Sequence, residues 1–123
     1  MQRQLIILLS LLTSLTAFAQ KKIQTGSPLP HFSVTDVHGL LVTSDSLAGK
    51  KVLLSFTRNA GCPVCNSYVH QLLEYADSFR REGIEVFIVS QSPPRSVKQY
   101  IENENLPFRF ISDTSDHLYN IFA

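Results

Sequence analysis

Two short apolar runs, Val52-Leu53-Leu54-Ser55-Phe56 and Val86-Phe87-Ile88-Val89, stand on either side of a helix-length segment. Runs this short, bounded by polar residues, are the mark of buried strands, since a buried helix would need about ten residues or more. Between them Val64, Tyr68, Leu72, Ala76 and Phe79 recur at steps of three or four, and Val69 and Leu73 widen the stripe. That spacing predicts one long amphipathic helix, started by Pro63 at its first position and ended by Gly83. A strand, a helix and a strand in this order imply a right-handed crossover and parallel pairing. The pattern then repeats. Pro93-Pro94 opens a helix carrying Val97, Tyr100 and Ile101, and Pro107 to Ile111 follows as a third strand. Ser112-Asp113-Thr114 supplies caps for a last helix with Leu118, Ile121 and Phe122. Upstream, His31-Phe32-Ser33-Val34 and Leu40 to Thr43 form a strand pair about the turn Asp36-Val37-His38-Gly39. Ser44 to Leu47 adds one helical turn closed by Gly49. The expected fold class is α/β, a three-layer sandwich about a mostly parallel central sheet.

A chain of 123 residues has room for one small domain. Its formal net charge is +1, and no basic cluster exceeds Lys21-Lys22 or Lys50-Lys51, which are solvated surface. Nucleic acid is therefore not an expected partner. The first residues have the form of a signal peptide. Arg3 supplies the positive start, Leu5 to Leu12 with Leu15 the apolar centre, and Ala17-Phe18-Ala19 the small-residue cleavage site. The expected organisation is a signal peptide over residues 1–19, a linker over 20–25 and one domain over 26–123. An uncleaved anchor is the alternative, but the apolar run falls short of the ~20 residues a spanning helix needs. The mature chain, beginning at Gln20, is expected to be soluble and exported, periplasmic or extracellular, with no membrane attachment after cleavage.

Export places the two cysteines, Cys62 and Cys65, where disulfides form. A bridge between them closes a very short loop and gains little as a staple, so redox work is the better reason for the pair. Cys62 falls where a helix begins, and the unpaired N–H groups there favour thiolate over thiol. Cys65 follows one turn later, within reach of the first sulfur. The expectation is an exposed, nucleophilic Cys62 and a partly sheltered, resolving Cys65. Arg58, four residues before Cys62, is the third candidate: its guanidinium would lower a thiol pKa and orient a peroxide oxygen, or else lie on the surface. Zinc or copper would need a second ligand pair, and His31, His38, His70 and His117 are scattered without metal spacing. No Gly-rich phosphate loop is present, so no organic cofactor is expected. Phe56, Tyr68, Phe79 and Phe87 are assigned to the core.

The segment Phe56-Thr57-Arg58-Asn59-Ala60-Gly61-Cys62-Pro63-Val64-Cys65-Asn66 resembles the F-x-R-x-x-x-C-P-x-C-N signature of peroxiredoxin-like proteins of the AhpC/TSA, or redoxin, family. Gly26, Pro28, Pro30, Phe32, Asp36, Gly39 and Gly49 fit the family's N-terminal arrangement. Val86 to Ser90, Leu106-Pro107-Phe108 and Ser112-Asp113 fit downstream. The resemblance runs from Gly26 to Ala123 and implies a thioredoxin-like fold with thiol-based reduction of peroxides or disulfides. Two departures stand out. Ser55 and Asn59 occupy positions where true peroxiredoxins carry Pro and Thr or Ser. The sequence also stops at Ala123, where the family continues into a β-hairpin with a cis-proline and a final helix, so the sandwich is expected to be incomplete at its C-terminal end.

The leading expectation is an exported thiol oxidoreductase in which Cys62 attacks a peroxide or disulfide and Cys65 closes an internal disulfide. A thioredoxin-like partner or a membrane reductase would return the electrons. The alternative is a non-catalytic thioredoxin-like binding module, or a truncated, inactive fragment.

Overall fold

The computed structural model describes residues 23–122. The expected signal peptide, residues 1–19, lies outside the described residues. The chain runs β1 (Ser33–Thr35), β2 (Leu41–Thr43), α1 (Ser44–Leu47), β3 (Lys51–Thr57), α2 (Pro63–Glu74), α3 (Ala76–Arg81), β4 (Ile84–Ser90), α4 (Pro94–Glu104), β5 (Arg109–Ser112) and α5 (His117–Phe122). β3, β4 and β5 form a parallel sheet in that order, with Leu54 opposite Phe87 and Val89 opposite Ile111. β1 and β2 form a separate antiparallel hairpin, Val34 opposite Val42. Among the described residues β3 pairs with β4 alone.

Alternation along β4 divides the core. Val86 and Ile88 face one side with Leu53 and Phe110, where Val69, Leu72 and Leu73 of α2, Phe79 of α3 and Val97 of α4 pack. Phe87 and Val89 face the other with Leu54, Phe56 and Ile111, covered by Phe32, Val42, Leu47 and the α5 residues Leu118 and Phe122. The sheet is thus the middle of three layers, as the sequence pattern predicts. One outer layer is helical, and the other combines the hairpin, α1 and α5. Phe87, Ile88 and Val89 are fully buried, and each such side chain contributes roughly 1.5–3 kcal/mol of burial.

Three details differ from the sequence reading. The single helix ending at Gly83 is two helices, parted at Tyr75 (φ −100°, ψ 4°), whose N–H turns to the Leu72 carbonyl at 3.0 Å. That tightened turn leaves Tyr75 exposed and lets Phe79 reach the core. The third strand starts at Arg109 rather than Pro107, because proline has no N–H to give the ladder. On α2 the stripe slides: Val69 is its buried residue, while Tyr68 is 46% and Val64 79% exposed. Tyr68 is therefore not core. Gly83 does end the second helix at φ +66°, a conformation that favours glycine.

Candidate functional site

β3, β4 and β5 are parallel, so the segments that leave their carboxyl ends converge on one side of the molecule. These are residues 58–62, 91–93 and 113–116. Four buried polar residues, Thr57, Ser90, Ser92 and Asp113, gather at this edge. Asp113 Oδ2 accepts the N–H groups of Leu118 and Tyr119, capping α5 as its position predicts.

Cys62 is the N-cap of α2, in extended conformation (φ −83°, ψ 118°), with Pro63 in the first turn. Its carbonyl accepts the Asn66 N–H at 2.9 Å and its own N–H donates to the Asn59 carbonyl at 3.1 Å. Cys65 lies one turn along. Both thiols are free and both are half-buried. The expected contrast between an exposed Cys62 and a sheltered Cys65 is absent, because the loop of residues 58–61 engages both cysteines. The Cys65 thiol is held below its ordinary value, chiefly by the backbone N–H of Asn59. Burial opposes this, and the Cys62 thiol and the Arg58 N–H add to it.

Arg58 therefore reaches the pair through its main chain. Its side chain is exposed and forms no ion pair among the described residues, and its positive charge is felt at the Tyr119 phenol. Two tyrosines flank the dithiol. Burial, then the charges of Glu104 and Cys65, pushes Tyr100 up. Burial, then Asp113 and Cys65, does the same to Tyr119.

The loop is fastened across the molecule. The Ala60 N–H donates to Ser92 Oγ at 2.9 Å, Ser92 Oγ donates to Asn59 Oδ1 at 3.2 Å, and the Gly61 N–H donates to the same oxygen at 2.7 Å. A shallow depression of about 320 Å³ opens beside this loop, between Gly61, Asn66, Gln99, Tyr100, Asn103 and Glu104. A cavity of about 650 Å³ lies away from the cysteines, between Leu73, Phe79, Val86, Phe108, Glu85 and Arg109. Among the described residues no three of the His, Cys, Asp or Glu side chains are grouped to hold a metal ion. Nor is any described helix long and apolar enough to cross a membrane.

Sequence reasoning brought Cys62, Cys65 and Arg58 together and missed Asn59 and Ser92. Asn59 had a signal: an amide two residues before Gly61 is the pattern of an Asx-turn. Ser92, thirty-three residues from Asn59 along the chain, had none.

A three-layer sandwich with two cysteines at the start of the helix after a buried parallel strand is a thioredoxin-like α/β domain. Residues 25–122 match the AhpC/TSA family, and the chain belongs to that family. It is 30% identical to peroxiredoxin Bcp of Escherichia coli K12 over 95 residues, 77% of this chain and 60% of that one. It is 28% identical to the thiol-disulfide oxidoreductase ResA of Geobacillus kaustophilus, across 96% of this chain and 70% of that protein. The crystal structure of the thioredoxin domain of a thiol-disulfide oxidoreductase from Bacteroides vulgatus superposes with a TM-score of 0.65. It is 27% identical and covers 81% of this chain and 74% of that one. The chain spans 60% of the length of the peroxiredoxins of the Bcp type that it matches.

Proposed function

We propose that this chain is an exported thiol-dependent oxidoreductase whose working group is the Cys62–Cys65 pair. The observation that carries the reading is the pair itself: two free thiols at the first turn of α2, one of them held below the usual thiol range by backbone N–H groups. Family membership and relatives named as peroxiredoxins and thiol-disulfide oxidoreductases support it.

Cys62, at the outer end of the helix, is the attacking sulfur. Its thiolate attacks one sulfur of a disulfide R–S–S–R′, the S–S bond breaks and R′–S⁻ leaves. Cys65, already inclined to the thiolate, attacks the Cys62 sulfur and expels R–S⁻. The protein loses two electrons as an internal disulfide, and the substrate becomes two thiols after taking up two protons. With a hydroperoxide ROOH, Cys62 takes the terminal oxygen as a sulfenic acid and ROH leaves. Cys65 then displaces that oxygen as water. A thioredoxin-like partner or a membrane reductase returns the two electrons. Arg58, exposed beside the loop, is a further candidate for meeting a substrate oxygen or anion. Export rests on the leader form of residues 1–19, which the mature N-terminus of secreted material would test.

The test of the chemistry is thiol loss on mixing the reduced mature chain with hydrogen peroxide, and separately with insulin. Wild type should be oxidised faster than free cysteine, and Cys62→Ser should react no faster than free cysteine. Cys65→Ser should stop at a trapped mixed disulfide or sulfenic acid. If all three react no faster than free cysteine, the chain is a binding module and not an enzyme.

A further inference from the structure

The loop of residues 58–61 lies outside any helix or strand, so each of its backbone donors needs a separate partner. The Gly61 N–H goes to Asn59 Oδ1, the Ala60 N–H to Ser92 Oγ, and the Cys62 N–H to the Asn59 carbonyl. The lowered value of the Cys65 thiol agrees with this placement, its chief cause being the Asn59 N–H, with the Arg58 N–H adding to it. Ser92 is the fixed point of this arrangement. It is 5% exposed, its N–H donates to Ser90 Oγ at 3.2 Å, and its carbonyl accepts Ser112 Oγ at 2.7 Å. It is therefore tied to the ends of both β4 and β5. Its hydroxyl uses its one donor on Asn59 and an acceptor site on Ala60.

We propose that the Asn59–Ser92 hydrogen bond is a clasp that fixes the 58–61 loop against the first turn of α2, where Cys62 donates its N–H to the Asn59 carbonyl, which makes both residues positioning residues for the dithiol. The proposal rests on the redox reading above and extends it to residues outside the C-x-x-C segment. The physical reason is preorganisation. A backbone N–H stabilises a thiolate only while it is held in place, and a four-residue irregular loop holds no orientation by itself. Without the Ser92 hydroxyl the buried Ala60 N–H loses its acceptor and Asn59 Oδ1 loses one of two donors, so the loop is free to turn away. The other titratable groups facing Cys65 are Cys62, Tyr100 on α4 and Tyr119 on α5. Substitutions at 59 and 92 leave all three in place.

The experiment uses the mature chain with Cys62→Ser, in which Cys65 is the sole thiol, and follows thiolate absorbance against pH. Ser92→Ala and Asn59→Ala should each lower the thiolate-to-thiol ratio at a given pH about three- to tenfold. Ser92→Thr, which keeps the hydroxyl, should restore it. Asn59 is exposed, so Asn59→Ala reads the clasp even if Ser92→Ala does not fold. A merely structural Ser92 would lower the melting temperature and leave the Cys65 titration of the folded protein where it was. Coincident titrations of parent, Asn59→Ala and any folded Ser92→Ala protein overturn the clasp. Disulfide exchange by the wild-type chain is measured separately. An inert wild type with a clasp-dependent Cys65 removes the enzyme reading and keeps the clasp, and an active wild type with an indifferent Cys65 does the reverse.

Discussion

The Tyr119 hydroxyl in α5 donates a hydrogen bond to the carbonyl of Thr57, the last residue of β3. The same ring meets Phe56 edge-on, with centroids 5.0 Å apart at 81°. One side chain thus ties the last described helix to the strand that delivers the cysteine loop. Tyr119→Phe keeps the ring and loses the hydrogen bond, a cost of ~1 kcal/mol. Tyr119→Ala also loses the aromatic packing and should cost ~3 kcal/mol. In a domain this size the first change should lower the melting temperature by about 5 °C and the second by clearly more. Equal melting curves for wild type and Tyr119→Phe would show that the Thr57 carbonyl finds another donor.

Cys65 makes the stability of the reduced chain depend on pH. Its folded-state value is lowered, chiefly by the Asn59 N–H, so between that value and the ordinary thiol value of 9.0 the unfolded chain binds more protons. The stabilisation is complete above 9.0 and is lost as pH falls through the lowered value. Urea midpoints of the reduced protein should therefore rise with pH across that window. Cys65→Ser should remove this part of the slope. A slope of unchanged size in Cys65→Ser would assign it to another group.

Asp36 sets a second, acid-side dependence. Burial alone would push its carboxyl up, but the N–H groups of Leu40 and His38 and the Arg109 guanidinium outweigh it and hold the value below 3.8. Arg109 reaches Asp36 Oδ2 at 2.8 Å and Glu85 Oε1 at 3.0 Å, joining the hairpin turn to β4 and β5. The stabilisation is present above 3.8 and is lost as pH falls through the lowered folded value. Asp36→Asn should cost ~2 kcal/mol near neutral pH, less than a fully buried pair because Arg109 is one-third exposed. It should also flatten acid unfolding. Midpoints that fall in parallel for wild type and Asp36→Asn below pH 4 would place the acid-sensitive group elsewhere.

The parallel sheet was legible because Val52 to Phe56 and Val86 to Val89 are short, almost wholly apolar runs bounded by polar residues, too short for a buried helix. The start of α2 was legible for a different reason. Proline after a non-helical residue suits a first turn, and Pro63 follows Cys62 in extended backbone. Tyr75 had no such signal, since neither proline nor glycine marks the break between α2 and α3. The turn tightens there to seat Phe79, which is a tertiary effect. The exposure of Val64 was hidden for a related reason: helical spacing tells which side a residue lies on and not whether anything covers that end of the helix. At the candidate site the two cysteines were readable from local spacing. Ser92 was not, because its role comes from the crossover that sets the end of β4 beside the end of β3.

Ser55 provides the last test, on β3. It is 4% exposed, lies opposite Ile88, and its hydroxyl has no hydrogen-bond partner among the described residues. A buried hydroxyl without a partner carries its full desolvation cost, about 1–3 kcal/mol, with nothing gained in return. Ser55→Ala removes that oxygen and leaves a void smaller than a methyl group, so the two effects differ in sign and the polar one is larger. The variant should be more stable than wild type by ~1 kcal/mol, read as a higher urea midpoint at unchanged m-value. Disulfide exchange should be unaltered, because position 55 lies two residues inside the strand and touches neither sulfur. A Ser55→Ala protein less stable than wild type would mean that the hydroxyl is bonded in solution, to water or to a part of the chain beyond residues 23–122.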